Sequence, residues 1–384
     1  MRVARILTRL NLGGPARQAL GADPLLAELG VTVRVFCGEP QPGEGDLFEE
    51  FIARGIDVVR VPGLGRGISG LGDLRALLAL RSGLRKFNPD LIHTHASKAG
   101  LLGRLVQRGM GGVASVHSFH GHVLEGYFSE RISRMLVGFE RRLAARTNRV
   151  IAVSHATAGD LLRLEVVSHK QLVVVPPGME LDPLLEVQGR SGLLRGLLGV
   201  NEEVFLLGVV GRLAEVKCPA RAVDVFLMLA QRHPNLELVF IGDGDQRRVL
   251  ENRIGELSPE DQERVHMVGS QTQMPEVLSD LDCVMLTSRT EGMPVALIEA
   301  GAAGLPCLAT DVGGVSEVLM HERTGFVCEG VDELAYALDQ LLTVPRMATE
   351  MGRRARVRMV EKHSARTLAE RLLAVYAAAL EEAQ

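Results

Sequence analysis

Tryptophan is absent from this chain and tyrosine occurs three times, so aromatic residues make up only 4% of its 384 positions. Proteins that hold single-stranded nucleic acid stack bases on exposed rings. With so few rings that class is set aside, and no nucleic-acid partner is expected. The five cysteines (Cys37, Cys218, Cys283, Cys307, Cys328) show no CxxC spacing, so neither a disulfide framework nor a zinc site follows from them. Cys37, Cys283 and Cys307 sit in apolar, strand-like runs and read as buried thiols in a reducing cytosol. No uncharged apolar run reaches the length of a membrane span. The opening MRVARILTRL has an arginine every three or four residues and no long apolar stretch, so no secretory signal is expected. The expected location is cytoplasmic, free or peripheral at the inner face of the membrane.

What the chain does contain is 46% apolar residues and 42 glycines. Its length suits two domains, and the glycines predict many tight turns and close backbone approaches. Charge is unevenly spread. Residues 1–180 carry 23 Lys+Arg against 16 Asp+Glu, whereas residues 181–384 carry 20 against 31. That asymmetry fits two domains with separate partners.

Apolar runs alternate with helix-like segments throughout. Strands are expected at Arg2–Leu7, Val31–Cys37, Asp57–Val61, Leu91–His95, Val113–Ser118, Val150–Val153 and Leu172–Val175. A second series follows at Phe205–Val210, Leu236–Ile241, Val265–Val268, Cys283–Thr287, Pro306–Ala309 and Gly325–Cys328. Between them lie apolar-periodic stretches such as Leu71–Phe87, Arg131–Ala145 and Ala220–Arg232. Alternation of this kind means parallel sheets covered on both faces. Pro176-Pro177-Gly178 is the best break in the chain. The expected fold class is therefore α/β, with two doubly wound Rossmann-like domains facing across a cleft. The expected boundaries are residues 1–178, 179–363 and a final helix, 364–384, that packs back on the first domain.

The segment Ser288–Gly304, SRTEGMPVALIEAGAAG, is the most informative. Glu291 falls on the turn after a strand and Glu299 about a turn into the next helix, near a start marked by Pro294. The N–H groups of Met293, Val295 and Ala296 then face the carboxyl end of the sheet, where α/β folds bind ligands and a helix N-terminus favours an anion. A single glutamate near a helix start is usually an exposed partner of the dipole. Two of them, one at the mouth and one deeper, suit a ligand with both phosphate and hydroxyls, such as a sugar nucleotide.

Other signals fall at corresponding places. Gly13 and Gly14 follow the first strand and allow a phosphate close to the backbone, without forming the dinucleotide fingerprint. Arg212 and Lys217 follow the first strand of the second domain, where a planar fork and a point charge can clamp a diphosphate. Gly242 opens a second glycine turn, GDGD. There Asp243 is expected to cap a turn, and Asp280 and Asp282 precede a strand, so neither pair is assigned a metal. His93, His95, His117, His120 and His122 cluster at strand ends. Zinc would need an HxxxH helix or a cysteine partner, which they lack. The glycine beside His120 suggests close approach to a ligand instead.

Together these features resemble the retaining glycosyltransferases of the GT-B fold, in the large family four. The resemblance covers nearly the whole chain and is most specific in TSRTEGMPVALIEAGAAGLPCLATDVGGVSEVL. HTHASKAGLLGR (His93–Arg104) and FHGHVLEGYFS (Phe119–Ser129) are similar to a bacterial subgroup that builds surface polysaccharides. The resemblance implies that Gly14 approaches the donor phosphates and that His120 positions the donor sugar. It implies that Arg212 and Lys217 hold the diphosphate, that Glu291 contacts the sugar and that Glu299 accepts from the ribose hydroxyls. One departure is Pro176-Pro177-Gly178-Met179, where the family commonly has Pro-Asn-Gly, so no ligand contact is assigned there. The implied reaction moves a sugar from a nucleoside diphosphate sugar, with UDP the expected nucleotide, to an acceptor hydroxyl with retention. It needs no cofactor and no metal. The acceptor is a carbohydrate or a lipid-linked sugar. Arg131, Arg134, Arg141 and Arg142, interleaved with Ile132, Met135, Leu136, Val137 and Phe139, make peripheral contact with an anionic membrane a candidate. Two alternatives stand beside this reading: an isomerase like the UDP-sugar 2-epimerases, and a non-catalytic nucleotide-sugar-binding protein.

Overall fold

The computed structural model describes residues 1–41, 45–65, 67, 69–121 and 129–383. Each expected apolar run forms a strand. The first seven are β1 (Arg2–Leu7), β2 (Thr32–Cys37), β3 (Asp57–Arg60), β4 (Leu91–His95), β5 (Ala114–Phe119), β6 (Arg149–Ala152) and β7 (Leu172–Val174). They build one parallel sheet in the order β3-β2-β1-β4-β5-β6-β7. The next six are β8 (Phe205–Val210), β9 (Leu236–Ile241), β10 (Val265–Gly269), β11 (Cys283–Leu286), β12 (Cys307–Thr310) and β13 (Gly325–Cys328). These form a second parallel sheet, β10-β9-β8-β11-β12-β13. In both sheets the order reverses beside the first strand, between β1 and β4 and between β8 and β11. The carboxyl ends at those points are where doubly wound folds open a crevice for ligands.

The chain divides into two compact units, Met1–Glu180 with His363–Gln384, and Leu181–Lys362. It passes between them twice. Around Pro176-Pro177-Gly178 the returning chain is held tightly: Met179 N–H donates to the His363 carbonyl (2.8 Å) and the His363 ring donates from Nδ1 to the Pro177 carbonyl (2.9 Å).

The first unit is packed by helices on both sheet faces. Helix Gly14–Glu28 and the long helix Ala365–Ala383 place Ala16, Ala19, Leu26, Leu368, Leu372 and Tyr376 in one core with Val3 and Val35. A fully buried aliphatic side chain of this kind contributes about 1.5–3 kcal/mol. In the second unit, Val223, Phe226 and Leu229 of helix Ala220–Ala230 and Leu334, Leu338 and Leu341 of helix Val331–Thr343 cover Leu238, Phe240, Cys283 and Met285. Cys37, Cys283, Cys307 and Cys328 are buried and free. Burial pushes the thiols of Cys37, Cys307 and Cys328 up to about 12, so they are inert packing groups.

Candidate active site

The second unit brings four expected residues to the carboxyl end of its sheet. After β8, Gly211 turns the chain at φ 139 and a short 3₁₀ turn, Glu215–Lys217, precedes helix Ala220–Ala230. After β11, the Thr287 hydroxyl donates to the carbonyls of Lys217 (3.1 Å) and Cys218 (3.0 Å), and Arg289 N–H donates to the Val216 carbonyl (2.8 Å). These three bonds tie the loop after β8 to the loop after β11. The tie brings Lys217 Nζ to 2.5 Å from Glu291 Oε1, and the same oxygen accepts from the Ser288 hydroxyl at 2.6 Å. The Glu291 carboxylate is 8% exposed and the lysine 30%, so the pair is shielded on the acid's side and open on the base's.

Arg212 stands on the same loop, exposed, and its side chain has no ion pair or hydrogen bond among the described residues. The expected clamp is thus asymmetric. Lys217 is paired with Glu291, and Arg212 keeps all its donors open.

Helix Val295–Ala302 starts one residue later than Pro294 suggested. Pro294 is the cap, with ψ 98, and its carbonyl accepts from Leu297 (3.1 Å) and Ile298 (3.3 Å). A proline flanking the helix start has no N–H to leave unpaired. The amides of Val295 and Ala296 precede this ladder and form the positive end of the helix. Met293 is 8% exposed and Glu299, the fifth residue of the helix, is 6% exposed. Glu299 therefore lies beneath the helix start rather than on its surface.

Two glycines shape this floor. Gly313, after β12, has φ 54, and a Cβ there would fall 1.7 Å from the Glu291 carbonyl oxygen. Gly242, after β9, has φ 142; a Cβ would meet the Gly211 carbonyl at 1.9 Å, and its N–H donates to the Gly269 carbonyl (2.8 Å). The Gly242 amide is thus used within the fold, and its missing side chain makes room for Gly211, so this glycine packs two loops together. Asp243 does cap its turn, accepting from the Gly244 amide at 2.7 Å. The Asp280 carboxylate accepts from the amides of Gly192 (2.8 Å) and Leu194 (2.7 Å), and Asp282 pairs with Arg190 and Arg195.

In the first unit, Gly13 caps helix Gly14–Glu28 with extended geometry, and the first bond of the ladder runs from Arg17 to the Gly13 carbonyl (3.2 Å). The amides of Gly14 and Ala16 lie ahead of it at the end of β1. Nearby, His120 follows β5 and His95 ends β4. His95 Nδ1 and His120 Nε2 are 2.8 Å apart, with the rings stacked at 5.1 Å. Burial, and then the Arg5 charge, lower His120 to about 4. His93, His95 and His117 are held well below the usual histidine range, chiefly by burial. All four rings are neutral at neutral pH. Ala96, next to His95, sits at φ 58 and ψ −179, a conformation that costs a non-glycine residue about 1–3 kcal/mol and marks functional loops. Residues 122–128, including His122 and most of FHGHVLEGYFS, lie outside the described residues.

Sequence reading missed Ser288, Gly313 and Arg5. Ser288 and Gly313 carried a signal in their places just after β11 and β12. Arg5 carried none, since its partners lie far away in the chain.

Two family models match. Residues 12–183 match Glycosyltransferase Family 4 and residues 194–358 match Glycosyl transferases group 1. The chain is 26% identical over 331 residues to the UDP-Gal:alpha-D-GlcNAc-diphosphoundecaprenol alpha-1,3-galactosyltransferase of Escherichia coli, covering 86% of this chain and 84% of that protein. It is 27% identical over 394 residues to a D-inositol 3-phosphate glycosyltransferase of Pseudarthrobacter chlorophenolicus, covering 92% and 87%. Among solved structures, Anabaena Alr3699/HepE in complex with UDP superposes with a TM-score of 0.81 at 19% identity, covering 98% of this chain and 100% of that one. Both family models are of transferases, which answers the isomerase and binding-protein alternatives. The two matched regions together span most of the chain, which is a glycosyltransferase of family 4, with two Rossmann-like units of the GT-B fold.

Proposed function

We propose that the protein transfers a hexose from a UDP-sugar to a hydroxyl of a lipid-linked sugar, with retention at the anomeric carbon, in the synthesis of a cell-surface polysaccharide or glycoconjugate. The observation that carries this reading is the Lys217–Glu291 pair beside the start of helix Val295–Ala302, with the Arg212 donors left open. A departing diphosphate gains charge in the transition state, and preorganised donors aimed at that charge give the largest catalytic term. Arg212 supplies a bidentate fork, Lys217 a point charge, and the amides of Val295 and Ala296 the helix end. Glu291 serves two ends: it holds Lys217 in place and accepts from the sugar hydroxyls. Glu299 accepts from the ribose, and His120 contacts the donor sugar. The departing phosphate oxygen takes the acceptor proton in a same-face displacement.

The acceptor class rests on two supports. One relative acts on a diphosphoundecaprenol-linked sugar. The other is helix Glu130–Ala144, on which Ile132, Met135 and Phe139 are 43%, 66% and 40% exposed, flanked by exposed Arg131, Arg134 and Arg142. Val137 turns to the core, and Arg141 bonds the Leu164 carbonyl, so the apolar–basic face is narrower than the sequence implied. Among the described residues no helix is long and apolar enough to cross a membrane. A face of this kind suits peripheral contact with an anionic surface, where each cation contributes about 1 kcal/mol; the location proposed is the cytoplasmic face of the membrane.

The experiment is a panel of nucleotide sugars scored by thermal stabilisation, since a ligand that binds the folded state raises its stability by mass action. It is followed by transfer to a polyprenyl diphosphate sugar, with and without EDTA. Stabilisation by UDP-sugars and EDTA-resistant transfer are expected. Loss of activity in EDTA with rescue by manganese would overturn the metal-free clamp.

A further inference from the structure

The first unit contains a buried polar chain that the donor clamp does not use. Register in the sheet sets it up: Arg5 on β1 lies opposite His93 on β4, and His95 lies opposite Ser118 on β5. The Arg5 guanidinium is 2% exposed and stands 2.7 Å from the Asp23 carboxylate of helix Gly14–Glu28, itself 1% exposed. From there Nη1 donates to His95 Nε2 at 3.0 Å and Nη2 to the Tyr376 hydroxyl at 3.2 Å. The chain then continues from His95 Nδ1 to His120 Nε2 at 2.8 Å.

The direction of each bond follows from one fact: a guanidinium has donors and no acceptor. His95 Nε2 must therefore accept, so it carries no proton. A neutral imidazole has one N–H, which His95 must then hold on Nδ1. That N–H points at His120 Nε2, which must accept in turn, so the His120 proton resides on Nδ1. Protonating either ring would set two N–H groups against each other, or an N–H against the guanidinium. Burial and the Arg5 charge oppose the same protonation. Among the described residues the Nδ1 of His120 has no partner.

A side branch steadies the chain. The Tyr376 hydroxyl accepts from Arg5 and lies 2.7 Å from His93 Nδ1, and His93 Nε2 lies 2.8 Å from the Ser118 hydroxyl. The titratable and charged groups around the chain are thus Arg5 on β1, Asp23 on helix Gly14–Glu28, His93 and His95 on β4, His117 and His120 at β5, and Tyr376 on helix Ala365–Ala383. Arg104, which faces His117, is held by Glu140 at 2.7 Å.

We infer that Asp23, Arg5 and His95 are positioning residues that lock His120 as the neutral Nδ1–H tautomer, so that it presents a fixed hydrogen-bond donor to an oxygen of the bound ligand and takes no part in proton transfer. This rests on the proposed placing of His120 against the donor sugar. It deepens that placing by assigning the chemistry of the contact: a sugar hydroxyl or carbonyl oxygen that accepts. Removing a positively held Arg5 would leave Asp23 buried and unpaired, which is strongly destabilising, so Arg5 is a poor site for the test. His95 is the better one. In His95→Gln the amide oxygen can accept from Arg5 and the NH₂ donate to His120, preserving the chain's direction. In His95→Phe the ring volume stays and both hydrogen bonds go.

The test is long-range ¹H–¹⁵N correlation of the histidine ring nitrogens in the full chain, with the His120 signal assigned by its loss in His120→Gln. Wild type and His95→Gln should show His120 with the proton on Nδ1 and no protonation between about pH 5 and 8. His95→Phe should show mixed tautomers. Its kcat should fall about tenfold, the size of one oriented hydrogen bond, and His95→Gln should recover most of it. A proton on His120 Nε2 in wild type, or a His120 signal unmoved in His95→Phe, would overturn the relay whatever the activity. A locked tautomer in a protein that transfers no sugar from any nucleotide would instead overturn the proposed function and leave the relay standing.

Discussion

Lys217 Nζ and Glu291 Oε1 stand 2.5 Å apart although 74 residues separate them, because Thr287 and Arg289 stitch the loop after β8 to the loop after β11. Each residue therefore sets the other's position, and their functional effects should couple.

Lys217→Ala and Arg212→Ala should each lose about 3 kcal/mol of transition-state stabilisation, a factor of order 10² in kcat/KM. The two differ in one respect. Lys217→Ala frees the Glu291 carboxylate, which among the described residues keeps only Ser288, so a Lys217→Ala/Glu291→Ala double variant should be less impaired than the sum of the singles. Arg212→Ala and Glu291→Ala should add. Steady-state kinetics on the double-mutant cycles checks both, and near-normal turnover in either cation variant would refute the clamp.

The two glutamates should separate. Glu299 lies under the helix start and is assigned to the ribose, a contact equal in ground and transition states, so Glu299→Ala should raise KM and Kd for the nucleotide with little change in kcat. Glu291→Ala should chiefly lower kcat. Isothermal titration with UDP beside kinetics distinguishes them; one shared pattern would contradict the division.

Gly313 and Gly159 make a paired backbone test. Gly313→Ala places a methyl 1.7 Å from the Glu291 carbonyl at a positive φ, whereas Gly159, in helix His155–Arg163, has nothing within 4 Å of the same position. Gly313→Ala should cost at least about 2 kcal/mol and most of the activity. Gly159→Ala should stabilise by about 0.5–1 kcal/mol. Denaturant melts give both values, and equal effects would mean that the Glu291 floor is not close-packed.

Stability should depend on pH through the buried histidines. His93, His95, His117 and His120 are all depressed in the folded state, His120 to about 4. The unfolded chain takes up protons near pH 6.5, so their contribution is complete above about pH 6.5 and is lost as pH falls from there toward 4. Asp23 and Asp282, both raised by burial, work in the opposite sense but are two groups against four. Tm should be level above about pH 7 and fall steadily below about pH 6.5; a level Tm down to about pH 5 would contradict neutral burial of the rings.

Much of this was legible in the sequence, and the divide is physical. Every strand could be placed, because parallel strands buried on both faces must be short apolar runs, and β11 with its following turn located Glu291 at once. Helix starts were legible to within a residue: Pro294 marks one but stands just outside it. What could not be read was pairing between distant loops. Glu291 and Lys217 were each assigned to a ligand, yet they meet because of Thr287, whose hydroxyl has no sequence signature. Gly242 was legible as a glycine turn, but its bond to Gly269 across β9 and β10 was not. The histidine cluster was visible as a composition, while its order depends on Arg5 and on Tyr376, 371 residues further along the chain.

The most direct test of the central claim is the anomeric configuration of the product. The purified enzyme, supplied with a UDP-α-hexose and a polyprenyl diphosphate sugar, should give an α-linked disaccharide by NMR, with UDP released in equal amount. A β-linked product, or conversion of the donor to an epimer without transfer, would contradict the account.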